Sequence, residues 1–475
     1  MAGAACSAPE APNVVLVVID TARADHLSAY GHSRETTPHL EEFARDAVTY
    51  RNVSAPSPWT LPSHASIFTG LPPGLHGLRW ASDADRPGSG ALVGAARPEA
   101  EERLLAELLR ADGYTTIGIS NNVWVSALTG LDSGFQHFWL LEDGGYMADY
   151  AQWREEHKVP ARLADSSAGQ SIALLKRALT EIPRQGPFFA FLNLIEPHFP
   201  YAPPDRFRGR LDGDPALYAE LDQLAQDPSL ELQLLTGAKK IEAAGLGVFY
   251  DEELRYVDAT LGHLFRWLKQ RGWYDDALII VTSDHGEHLG EGGRYSHQLS
   301  VDEALLSVPL MIKYPGNRGG GGSEENSLVS ATDVYWTVVS AVFGERLPVP
   351  PEPWSQDLAR MEHFGRDWTL SEYYYSDRYL GDLARLNPDF DAARHKIVRR
   401  VVHTREGRSV FLGDELAPDL SANAGGEEAR ALPLPPDVRE AYDRYVERVE
   451  SLSSDLTVID DPAALEGLRK LGYLQ

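Results

Sequence analysis

The sequence has a single cysteine, Cys6, so no disulfide forms within the chain. Basic charge is scarce. Lys and Arg number 44 against 70 Asp and Glu, a net of −26, and only 8 of the basic residues are Lys. Such a field repels phosphate backbones and anionic lipid, which excludes a non-specific nucleic-acid binder and disfavours a membrane-surface protein. An anionic small molecule remains possible as substrate if a local cation offsets the field. No apolar run reaches the ~18 residues of a membrane span. Segment 1–12 lacks the basic start and apolar stretch of a signal peptide, so a cytoplasmic protein is expected unless the true start lies upstream, which would make it exported or a lipoprotein. With 475 residues, 43% hydrophobic and 24% charged, the chain is neither disordered nor collagen-like, and it can bury a large core.

Segment 13–19 (NVVLVVI) is an unbroken β-branched run ending at Asp20, as in a buried parallel strand. Segments 115–120, 188–194, 277–282 and 309–313 repeat the pattern. Between them, 38–49, 101–111 and 250–271 carry helical periodicity. This alternation predicts an α/β fold, a doubly wound, mostly parallel sheet flanked by helices. Segment 79–98 reads as a Gly/Ala/Pro/Asp-rich loop, 205–246 as a candidate cap insertion, and 319–322 as a flexible glycine run. Prolines at 348, 350, 351 and 353 mark a boundary. The division expected is a flexible 1–12, a catalytic domain over 13–345, and a smaller C-terminal α+β subdomain over 346–475. The last carries an antiparallel hairpin, 396–402 with 409–412, and a helix from 435.

In a doubly wound sheet, ligands gather at the carboxyl ends of the strands. Two strands here end in metal-ligand residue types, the first in Asp20 and another in Asp284-His285 before Gly286. Either carboxylate would serve equally as a turn or helix cap, and His285 as a packed core residue. Segment 59–70 (WTLPSHASIFTG) reads as a turn into a short helix, with Thr60 and Ser63 placed either as N-caps or as hydroxyls presented to an anion at the positive helix end.

Together these stretches resemble the sulfatase-like hydrolases of the alkaline phosphatase superfamily. The matching segments are NVVLVVIDTARADHLSAYG (13–31), TTPHLEEFA (36–44), WTLPSHASIFTG (59–70), EPHFPYAPP (196–204), VTSDHGEHLGEGG (281–293) and VPLMIKYPG (308–316), with LRKLGYL (468–474) near the end. The resemblance implies an alkaline phosphatase-like fold and one metal centre that includes the nucleophile. By motif, Asp20, Asp284 and His285 are metal ligands, and Thr60 is both ligand and nucleophile. His198, in the His-x-Pro motif, and His297 fall where relatives contact substrate or protonate the leaving group. Arg23, His64, Asn121 and Asn122 fall on substrate-side positions, Arg23 being equally placed for a structural salt bridge.

Three departures from the sulfatase pattern bear on the chemistry. Sulfatases oxidise the first residue of Cys/Ser-x-Pro-x-Arg to formylglycine. This chain has Thr60-Leu61-Pro62-Ser63-His64, and threonine does not give that aldehyde, so no formylglycine is expected. The sulfatase Asp-Asp pair is Asp20-Thr21, and its Asp-Asn pair is Asp284-His285. The last two changes move the ligands from all-oxygen towards mixed nitrogen and oxygen, favouring Mn²⁺ or Zn²⁺ over Ca²⁺ or Mg²⁺. A threonine nucleophile suits phosphate mono- and diesters or phosphonate esters, through a covalent intermediate. Three alternatives stand beside it: sulfate-ester hydrolysis without formylglycine, phosphoryl-group transfer to another acceptor, and a non-catalytic binding protein.

Overall fold

The computed structural model describes residues 11–82, 93–95, 104–141, 167–211, 218–219, 229–241, 245–317, 321–346, 354–360, 366–418, 431–452 and 457–459. The segment 468–474 and the prolines at 348–353 lie outside them, as do the first half of the 319–322 run and parts of the 79–98 and 205–246 segments.

Strands are numbered in chain order. The main sheet has eight: β1 (Val14–Ile19), β2 (Val48–Ser54), β5 (Thr115–Ser120), β6 (His137–Leu140), β7 (Phe188–Leu194), β8 (Leu278–Thr282), β11 (Leu310–Lys313) and β12 (Ser323–Ser330). Their spatial order is β12-β2-β11-β8-β1-β7-β5-β6. β8, β1, β7 and β5 are mutually parallel neighbours. β11 is the exception, antiparallel to both β8 and β2. The apolar run at 309–313, read from sequence as another strand of the parallel set, is therefore the one that reverses. A strand covered on both faces carries the same unbroken run in either direction, so the sequence does not encode its sense.

Alternation along β1 shows why the sheet is buried twice. Val14, Leu16 and Val18 pack on one face with Leu61, Ala65 and Phe68 of helix α1 (Thr60–Thr69). Val15, Val17 and Ile19 face the other way, against Ile172 and Leu175 of α2 (Ser167–Glu181) and Leu254, Val257 and Leu261 of α3 (Leu246–Gln270). The helical reading of 38–49 runs too far: the helix ends at Ala44, and Val48 and Thr49 already belong to β2.

A second correction concerns 79–98. Within this supposed loop, β3 (Arg79–Trp80) and β4 (Val93–Ala95) pair with each other and with β17 (Thr457–Ile459) in a three-stranded antiparallel sheet. The expected hairpin is present as β14 (Arg399–Thr404) and β15 (Gly407–Leu412), inside a four-stranded sheet with β13 (Trp368–Tyr373) and β16 (Glu415–Ala417). Helix α4 (Pro436–Leu452) follows, its Tyr442 and Tyr445 packing with Val402 and Phe411. β13 also braces a segment of the first half of the chain. Glu372 N donates to Pro56 O, Ser371 Oγ to Ala55 O, and Ser57 Oγ to Glu372 O, so the strand grips the segment leading into α1.

Candidate active site

The site lies at the carboxyl ends of the four parallel neighbours. Asp20 follows β1, Asn121 and Asn122 follow β5, Asn193 is the next-to-last residue of β7 with His198 in the turn beyond it, and Asp284 and His285 follow β8. Thr60 enters from the side as the first residue of α1, with extended Trp59 ahead of it. Trp59 is fixed by stacking on Trp80 at 4.3 Å between ring centres. Asp20, Thr60, Asp284 and His285 are all essentially shielded from solvent.

One ligand atom each from Asp20, Asp284 and His285 lie within 4.8 Å of one another. His285 Nδ1 lies 2.9 Å from Gly286 O, which fixes it as the donor and leaves Nε2 with a lone pair. That lone pair faces three oxygens: Thr60 Oγ1 at 3.3 Å, Asp284 Oδ2 at 3.3 Å and Asp20 Oδ1 at 3.8 Å. Asp20 Oδ1 and Asp284 Oδ2 are buried and accept no hydrogen bond among the described residues. Buried anionic oxygens aimed at one point without donors are costly unless a cation lies between them. This donor set, two carboxylates, an imidazole and a hydroxyl, fits a divalent metal.

The outward-facing atoms of these ligands are held in place. Asp20 Oδ2 accepts from Asn122 Nδ2 at 2.9 Å and Asn193 Nδ2 at 3.2 Å. Asp284 Oδ1 accepts from the amides of Thr21 at 3.2 Å and His285 at 2.9 Å. Such outer contacts orient ligands and tune their basicity. Burial and the charge of Asp284 push the Asp20 carboxyl up. Burial also opposes ionisation of Asp284, but His285, His64 and the Thr21 amide hold it below the usual carboxylate range.

The other sequence candidates separate into two groups. Asn122 reaches the centre, its Nδ2 lying 3.3 Å from Thr60 Oγ1. His64 sits behind it, Nδ1 donating to Thr60 O at 3.0 Å and lying 3.4 Å from Asp284 Oδ2. His198 and His297 stand alongside, with ring centres 5.0 Å apart and His297 4.5 Å from His285. Arg23 and Asn121, expected on the substrate side, turn elsewhere. The Arg23 guanidinium pairs with Asp25 and Glu291 and donates to Glu287 O at 3.0 Å, the salt-bridge alternative. Asn121 Oδ1 accepts from Ser171 Oγ at 3.0 Å.

Three residues at the site were missed by sequence reasoning. Asn193 sits inside a strand whose apolar pattern masks it. Glu287 closes the quoted VTSDHGE stretch and carried a usable signal. Glu231, on the short helix Leu230–Leu235, carried none.

The sheet carries carboxylates and an imidazole at adjacent strand ends, with a hydroxyl at a helix start beside them, an arrangement that could hold a metal ion on an α/β fold. The Sulfatase family model matches residues 12–344, and the chain belongs to that family. It is 26% identical over 371 residues to an ulvan-active sulfatase of Formosa agariphila, covering 74% of this chain and 65%, just under two thirds, of that protein. It is 28% identical over 395 residues to the multifunctional alkaline phosphatase superfamily protein PehA of Trinickia caryophylli, covering 70% of this chain and 74% of that one. Among solved structures, the phosphonate monoester hydrolase of Agrobacterium radiobacter shares the fold with a TM-score of 0.63 at 21% identity, over 93% of this chain and 96% of that one.

Proposed function

We propose that this protein hydrolyses phosphate mono- or diesters, or phosphonate esters, with Thr60 as nucleophile. The observation that carries the reading is the Thr60 hydroxyl, an alcohol that does not give formylglycine, at the start of α1, 3.3 Å from both His285 Nε2 and Asn122 Nδ2. Asp20, Asp284, His285 and Thr60 would hold a divalent ion, Mn²⁺ or Zn²⁺ by donor type. Such an ion, when bound, lowers the hydroxyl pKa and offsets anionic charge on the substrate. It also supplies the local cation that a chain of net charge −26 needs to admit an anion.

Thr60 Oγ1 gives its proton to water and attacks phosphorus in line, forming the Oγ1–P bond as the bond to the leaving oxygen breaks and that oxygen takes a proton from water. Asn122 Nδ2 steadies the hydroxyl before attack. His198 and His297, on the far side of His285, offset the charge developing on the departing oxygen. Water then adds its oxygen to phosphorus and returns a proton to Thr60 Oγ1, releasing phosphate from a monoester, a phosphate monoester from a diester, or a phosphonate from a phosphonate ester.

Sulfate-ester hydrolysis is the second reading, supported by the name of the Formosa agariphila relative. Without formylglycine, a sulfothreonine would have to be cleaved by water. The test is parallel turnover of p-nitrophenyl phosphate, bis-p-nitrophenyl phosphate, p-nitrophenyl phenylphosphonate and p-nitrophenyl sulfate, by metal-stripped protein reloaded with Mn²⁺, Zn²⁺ or Ca²⁺. Phosphorus-ester turnover that needs Mn²⁺ or Zn²⁺ and is lost in Thr60→Ala supports the proposal. Dominant sulfate turnover replaces it with the second reading.

A further inference from the structure

We propose that a second divalent cation binds beside the first, held by His198, Glu231, Glu287 and His297. These side chains come from four separate segments: the turn after β7, the helix Leu230–Leu235, the loop between β8 and β9 (His288–Leu289), and the turn after β10 (Tyr295–Ser296). One ligand atom from each lies within 4.8 Å of the others. Three of the four are buried, and Glu231 stands at the rim, half-buried.

His198 and Glu287 are each oriented from outside, leaving an inner atom for a cation, and Glu231 is held at its inward oxygen. His198 Nδ1 lies 2.6 Å from Phe199 O and donates to it. Its Nε2 is buried, with no partner among the described residues. Tyr201 OH and Phe199 N donate to Glu287 Oε2, at 2.8 and 3.2 Å. Glu287 Oε1 is left facing His297 Nδ1 at 3.3 Å. Ser296 Oγ donates to Glu231 Oε1 at 2.6 Å, and that oxygen lies 4.0 Å from His297 Nδ1. Outer-shell donors of this kind hold metal ligands in register.

The plainer account is a buried imidazole–carboxylate pair, Glu287 with His297. It leaves too much unexplained. Glu231 still faces inward, and His198 Nε2 still has nothing to meet. Protonating that nitrogen would set a charge near Glu231 and Glu287 yet leave the N–H with no acceptor at hydrogen-bond distance among the described residues. A divalent ion satisfies all four groups at once. Two carboxylates match its charge, and two imidazoles with two carboxylates suit Zn²⁺ or Mn²⁺.

Only the catalytic consequence rests on the Thr60 reading. Two adjacent cations would stabilise the attacking and the leaving oxygen of an in-line displacement separately. His198 and His297 then offset charge on the departing oxygen as ligands of the second ion, with no need to carry a proton themselves.

The experiment counts metal. Full-length protein is stripped with chelator, saturated with Mn²⁺ or Zn²⁺, desalted and measured by inductively coupled plasma mass spectrometry. Mn²⁺ titration followed by electron paramagnetic resonance runs beside it. Wild type is expected to retain two equivalents with spin coupling between Mn²⁺ ions. Glu231→Gln, at the half-exposed rim, should retain one and bind the second at least about 10-fold more weakly. Asp20→Asn should also keep one, at the proposed site. One equivalent in wild type with either metal, lost in Asp20→Asn and unchanged in Glu231→Gln, overturns the second site and leaves the first standing. Two equivalents that persist in Asp20→Asn would instead count against the first. If Glu231→Gln fails to fold, the wild-type stoichiometry and spin coupling decide alone.

Discussion

The backbone amide of Thr21 donates to Asp284 Oδ1 at 3.2 Å, joining the ends of two adjacent strands across 263 positions of sequence. To make this contact Thr21 takes a φ of +56°, a left-handed conformation that a β-branched residue rarely adopts. Its carbonyl is held in turn by the Tyr250 hydroxyl at 2.7 Å. Strain of this kind persists only where the surroundings over-determine it. Here it aims an N–H at the outer oxygen of a ligand.

Thr21→Pro removes the donor and cannot take a positive φ, so metal content should fall at least about 10-fold. Thr21→Gly keeps the amide and relieves the strain, and should retain metal at the wild-type level. Elemental analysis of the two purified variants decides. Equal retention in both would show that the amide does not support the ligand.

Asn122 bridges a ligand and the proposed nucleophile, bonding Asp20 Oδ2 at 2.9 Å and Thr60 Oγ1 at 3.3 Å. Asn122→Ala is expected to lower kcat/KM by about 10–100-fold, as loss of an outer-shell contact does. Asn122→Asp should be worse, since it sets a third carboxylate against Asp20 and removes the donor. Steady-state kinetics on the best phosphorus ester give the comparison, with thermal melts confirming an intact fold. Wild-type kcat/KM in Asn122→Ala would remove the residue from the site.

A pH dependence of stability follows from His76. It is fully buried against α1, Nδ1 accepting from Leu78 N at 3.0 Å and Nε2 lying 3.2 Å from Pro62 O. Burial pushes its pKa down from 6.5 to about 3. The neutral ring is favoured in the fold, so its contribution is complete above pH 6.5 and is lost as pH falls towards 3. Between pH 7.5 and 5.5 the loss should be about 1 kcal/mol. His76→Gln should be less stable at pH 7.5 yet lose less on acidification. Urea melts of both proteins at the two pH values measure this, and identical pH slopes would refute it.

The residues the sequence singled out come together in the fold because they follow strands or open a helix. Asp20 ends β1, Asp284-His285 follow β8, and Thr60 opens α1, so local pattern and topology together converge on one place. Arg23 and Asn121 show the limit of that logic. Each sits one to three residues from a site residue, yet side-chain direction sends Arg23 to Asp25 and Glu291 and Asn121 to Ser171. Glu231 was illegible for another reason: a six-residue helix in a polar stretch has no periodicity that says what it approaches. The strand sense of β11 and the pairing of β3 with β4 and β17 depend on partners distant in the chain, which a local pattern does not carry.

Every ligand and proposed catalytic group lies before residue 300, which suggests that a shortened chain ending at the proline-rich stretch would be a minimal enzyme. The grip of β13 on residues 55–57 argues otherwise. The backbone that delivers Thr60 is held by a strand donated from more than 300 positions downstream. A truncated chain would keep every proposed metal-binding residue and lose the clamp that points the Thr60 alcohol at the proposed metal site.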